Sequence, residues 1–151
     1  MTMFLERLED LSVYYAVNNL FTTVSGITIV DDYPVDNLVI PSISVNAGKI
    51  RLENFELGNR SGLRYRKWYI DVYAKNKAQR DEFGYRVLNA FTNGVTVYNY
   101  NVGFPPASGI PILEHMNVMQ KEMDFIRIMP EFVDKLYYRA TITIAATNDT
   151  V

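Results

Sequence analysis

Residues 64–74 alternate strictly: Trp68, Ile70, Val72 and Ala74 fall on one side, and Tyr65, Lys67, Tyr69, Asp71 and Tyr73 on the other. Extended chain turns successive side chains to opposite faces, so a period of two predicts a β-strand with one dry face and one wet face. A strand of that kind belongs in an antiparallel sheet covered on one side. Everything that covers the dry face must come from the rest of the chain.

The preceding segment supplies a partner strand. Ile43 and Val45 alternate with Ser42, Ser44 and Asn46 up to a break at 47–49; Ile50 and Leu52 then share one face, with Phe55 and Leu57 on the other. That switch predicts a bulge near Asn54. Glycines at 58 and 62 bound a loop, so the two strands form an extended antiparallel hairpin with its tip near 59–63.

Helices supply the cover. Over 4–24, Phe4, Leu8, Leu11 and Tyr15 mark one helical stripe, and Val13, Val17, Leu20 and Val24 mark another side. Two arrangements fit: a helix wedged between sheet and loop, or one whose second face, Val13, Val17 and Leu20, packs on a neighbouring subunit. Asn76 is suited to cap a second helix over 78–91, in which Phe83, Val87 and Phe91 repeat at four-residue spacing. Residues 27–30, 95–100, 112–128 and 136–144 read as further strands, 103–111 as a Pro/Gly loop and 146–151 as a frayed end. The pattern predicts one domain over 1–151 of the α+β class: a mainly antiparallel sheet with both helices on one face. A crossover through the second helix permits parallel pairing at one position.

Composition excludes much chemistry. The 151 residues include no cysteine and one histidine, which removes disulfides, thiolate metal sites, a cysteine nucleophile and a multi-histidine centre. His115 has no nucleophile signature beside it, Ser108 lies in the Pro/Gly loop, and Glu53 and Glu56 oppose no other carboxylate. Asp31 and Asp32 read as a solvated turn. The sequence therefore predicts no catalytic site, no metal and no cofactor. No apolar run approaches the ~20 residues that cross a bilayer, and the charged N-terminus is unlike a signal peptide.

Charge is distributed unevenly. Residues 60–80 contain seven basic side chains (Arg60, Arg64, Arg66, Lys67, Lys75, Lys77 and Arg80) against Asp71, a net +6 that leaves −8 for the remainder of a chain whose total is −2. Interleaved Tyr65, Trp68, Tyr69 and Tyr73 admit a single-strand nucleic-acid binding module. A basic hairpin meeting an acidic neighbour, in a head-to-tail ring or along a passage for DNA, fits the same charges. The 11 tyrosines are suited to such contacts, because a buried ring can keep its hydroxyl bonded.

Four strings in order, Val39-Ile40-Pro41-Ser42-Ile43-Ser44-Val45, Phe55-Glu56-Leu57-Gly58-Asn59-Arg60, Trp68-Tyr69-Ile70-Asp71-Val72-Tyr73-Ala74 and Gln79-Arg80-Asp81-Glu82, resemble the tail-terminator and tail-completion family of long-tailed bacteriophages. The similarity runs from about residue 5 to residue 146. It implies a homohexameric ring in the virion, built in the host cytoplasm, that caps the tail tube, stops its polymerisation and receives the filled head, with genomic DNA passing unread through the lumen. The implied partners are further copies of the chain, the major tail-tube protein and a head-completion protein; a head-completion or adaptor role in the same neck is the alternative. Under this resemblance the hairpin tip (Arg60, Arg64, Arg66, Lys67) and the loop with Phe104, Pro105 and Pro106 are candidate contacts to neighbouring rings or subunits.

Overall fold

A computed structural model describes residues 2–31, 40–54, 62–103, 109–126 and 138–148. The elements are α1 (Leu5–Leu20), β1 (Thr28–Val30), β2 (Ser42–Asn54), β3 (Gly62–Ala74), α2 (Lys77–Leu88), β4 (Val95–Tyr98), a 3-10 turn (Tyr100–Val102), β5 (Ile112–Phe125) and β6 (Tyr138–Asn148). The six strands form one sheet in the order β1-β2-β3-β6-β5-β4. Every pairing is antiparallel except β1 with β2. The fold is therefore α+β, as the alternation and helical stripes predict.

β3 lies near the middle of the sheet, and its dry face is the floor of the core. Trp68, Ile70 and Val72 meet Ile43 and Val45 of β2 and Ile142 and Ile144 of β6, all at most 2% exposed. Phe83 and Val87 of α2 and Leu8, Leu11, Val13 and Val17 of α1 close the core from above. Asn76 caps α2 as its residue type suggests, its side chain accepting a hydrogen bond from the Gln79 amide at 2.8 Å. Gly94, at φ +85°, turns the chain into β4 where a Cβ would stand 2.3 Å from the Met116 carbonyl oxygen, so only glycine fits.

Several boundaries differ from the sequence expectation. α1 stops at Leu20 rather than 24, and α2 at Leu88 rather than 91, yet Phe21 and Phe91 stay in the core through the turns that follow. The break at 47–49 does not end β2. Between Ala47–Trp68 and Ile50–Arg66, residues 48 and 49 oppose Lys67 alone, a two-against-one bulge after which the strand runs on. Parallel pairing occurs at β1 rather than beside the α2 crossover. β6 continues through 146–148, where fraying was expected: Ala146 is fully buried and the Asn148 side chain accepts from the Arg64 amide at 2.6 Å.

Candidate functional site

Two of the described basic residues of the hairpin, Arg64 and Arg66, turn inward rather than out to an open surface. Strict alternation puts Arg64 and Arg66 on the same face of β3 as Trp68, directly beneath α1. Arg66 is fully buried and donates to the Glu9 carboxylate at 2.8 Å, the Asp10 carboxylate at 2.6 Å and the Glu6 carbonyl at 3.1 Å. Its guanidinium also lies 4.8 Å from the Trp68 ring centre, and the indole Nε1 donates to Asp10 at 2.9 Å. Arg64 reaches Glu6 at 3.4 Å and Glu9 at 3.6 Å. Arg66 and Trp68 are thus sealed inside the protomer and cannot touch a neighbour or a nucleic-acid strand. Two of the basic charges in the +6 segment are answered by the acidic first turns of α1 within the same chain.

Glu9 sits in this cluster at 0% exposure. Burial raises its pKa from 4.5 to about 7 and outweighs the hydrogen bond from Arg66; the neighbouring Glu114 carboxyl on β5 adds to the rise. The cluster joins α1, β3 and β5 and fixes where the helix sits. On the other side of α1, the Ser12 hydroxyl donates to the Leu8 carbonyl at 2.7 Å and accepts from the Tyr98 amide at 3.2 Å, which ties the helix to β4. Tyr15, Tyr98 and Tyr100 pack there with ring centres 5.2 and 6.0 Å apart. Part of the tyrosine surplus is therefore internal.

Val13 and Val17 are fully buried within the protomer, so the wedged arrangement holds for them and they have no surface for a neighbouring subunit. Leu20 is half-buried at a groove of about 480 Å³ between α1 and β4, lined also by Tyr15, Phe91, Tyr98 and Tyr100 and by no charged side chain. Lys67 is half-buried on the opposite sheet face, its ammonium 5.7 Å from the Tyr69 ring centre. Arg60, Phe104, Pro105 and Pro106 lie outside the described residues. Among the described residues no group of three His, Asp or Glu side chains could hold a metal, and no helix is long and apolar enough to cross a membrane.

The exposed apolar residues that sequence reasoning missed lie elsewhere. Beyond the bulge, the β2–β3 arm presents Ile50 and Leu52, 46% and 60% exposed. At the opposite end of the sheet Phe125 and Tyr138 stay exposed beside Tyr85, with the Arg80 guanidinium 4.8 Å from the Phe125 ring centre and 5.9 Å from that of Tyr138. Exposed aromatics with an arginine at their centre are the chemistry of protein–protein contacts. The signal available in the sequence was the 48–49 break, after which Ile50 and Leu52 stand beside Arg66 and Arg64 on the helix-bearing face but outside the cover of α1.

No family model and no curated protein matches the sequence. In three dimensions the chain is similar to a chain of a solved structure described as "Virion of native gene transfer agent (GTA) particle", at 12% identity and a TM-score of 0.51, over 92% of this chain and 91% of that one. At that identity the likeness shows a shared fold.

Proposed function

We propose that the protein is a structural subunit of a phage-like virion, forming a ring at the head-proximal end of the tail that stops tail-tube polymerisation and joins the tail to the head. The observation that carries this reading is the fold likeness to a virion chain over more than nine-tenths of both molecules. The order of short strings that resembles the tail-terminator family points the same way. The protomer also has the form of an assembly part: its buried ionisable groups hold α1 to the sheet and β3 to β6, while exposed apolar side chains include Ile50 and Leu52 at one end of the sheet and Phe125 and Tyr138 at the other. That division supports a structural role.

Labelling the chain in assembled particles and imaging them tests the proposal. The expected density is a closed ring between head and tail tube, touching the tube. Density in contact with the portal instead would make the protein an adaptor, and its absence from the neck would overturn the reading.

A further inference from the structure

We propose that the sheet continues from one copy to the next: the free edge of β5 in one protomer pairs antiparallel with the free edge of the β2 arm in the following protomer. This deepens the ring reading and rests on it. Among the described residues, β1 pairs with β2 only at 42–44, which leaves the outer edge of β2 open from residue 46 to its end. β4 covers β5 only at 112–116, so β5 is open over 117–125, where β6 alone flanks it. Both are long strand edges presenting unpaired backbone groups, the template onto which another strand adds.

Three features match one edge to the other. The first is direction. Four strands separate the two edges, β2-β3-β6-β5, and each is antiparallel to the next. β2 and β5 therefore run oppositely, and in a ring whose axis lies along the strands rotation leaves that relation unchanged, so β5 of one copy meets β2 of the next as an antiparallel pair.

The second is side-chain chemistry on the helix-bearing face. Ile50 and Leu52 lie opposite Arg66 and Arg64 and so share that face, as do Met123 and Phe125, which lie opposite Ile142 and Ala140. A continued sheet places an apolar pair beside an apolar pair. The third is charge on the other face, where Arg51 of the arm comes beside Glu122 and Asp124 of β5. Among the described residues Arg51 bridges Glu53, at 3.1 Å with both side chains about half exposed, and lies 5.3 Å from the Tyr65 ring centre. Cross-strand pairs of both kinds stabilise a sheet. The open stretches are offset by a few residues along the strands, a stagger that tilted strands around a closed sheet require. The two edges differ, so the contact is head-to-tail and closes only as a ring.

The chain's lack of cysteine makes the test direct. Arg51→Cys and Glu122→Cys proteins are treated with a short bifunctional thiol reagent, separately and mixed. A cross-linked dimer should appear in the mixture and in neither protein alone; self-linking of either protein would mean a two-fold contact and overturn the proposal. Separately, Arg51→Glu and the double change Glu122→Lys with Asp124→Lys should each weaken oligomer formation about tenfold, and the combination in one chain should restore it to within about threefold. All three positions are exposed, and unchanged circular dichroism confirms folding. If the wild type assembles but neither cross-linking nor charge reversal touches it, the edge pairing is wrong and the ring stands. A wild type that never assembles overturns both.

Discussion

At the scale of single residues, the buried pair of Glu9 and Arg66 shows how charge is used inside this molecule. Removing one partner of a buried ion pair leaves the other charge uncompensated, which costs more than the pair itself contributes. Arg66→Ala strands Glu9 and Asp10 together beneath α1, and should destabilise the protomer by about 3–5 kcal/mol in denaturant titration. Glu9 gives a second expectation. Its folded pKa of about 7 stands above the ordinary 4.5, so the folded state holds a proton that the unfolded chain has released. That contribution to stability is full below pH 4.5, declines between 4.5 and 7, and is gone above 7. Melting temperature should therefore fall between pH 5 and pH 8, and Glu9→Gln, which cannot ionise, should flatten that fall. An unchanged slope in the variant would assign the pH response to other groups. Gly94 is the third case: Gly94→Ala combines a left-handed φ with a backbone clash and should cost at least ~2 kcal/mol.

At the scale of elements, the arm formed by β2 and β3 divides into two regimes at the bulge. Before residue 48 the apolar side chains of β2 are core; after it Ile50 and Leu52 are surface, because at that level α1 covers Arg64 and Arg66 of β3 and leaves β2 beside them open. Ile50→Ser with Leu52→Ser should leave protomer stability within about 0.5 kcal/mol, since neither residue is buried, and should lower oligomer formation. Thermal melts and sedimentation of the same sample separate the two effects.

The alternation of 64–74, the Asn76 cap and the stripes of both helices were legible because each is local: period and cap chemistry act within a few residues. The fate of Arg64 and Arg66 was not legible, although their parity put them on the Trp68 face. Deciding that two arginines on a dry face are buried requires knowing that Glu6, Glu9 and Asp10, more than fifty residues away, lie above them. The same holds for Val13 and Val17. Their helix is apolar on two sides because β2, the edge strand β4 and α2 all contact it, a fact of tertiary packing rather than of periodicity. Alternation resumes beyond the 48–49 bulge with Ile50 and Leu52, so the sequence pattern breaks visibly only near Asn54.

At the scale of the whole molecule, a short β1 and a short β4 leave long stretches of β2 and β5 open, among the described residues, at both margins of the sheet. One open edge carries Arg51 and the other Glu122 and Asp124, so the molecule has two unlike sides. The net charge of −2 hides that asymmetry, and the internal pairing of Arg64 and Arg66 with α1 moves it from the base of the arm to the sheet edges. Two unlike complementary sides generate a closed ring or an open filament, and the proposed role at the end of a tail tube calls for the ring. The mass of the assembled protein under native conditions tests this most directly. The account predicts one closed oligomer of fixed copy number, six by the family resemblance, at concentrations where assembly is complete. A monomer at every concentration, or a ladder of masses without a limit, would contradict it.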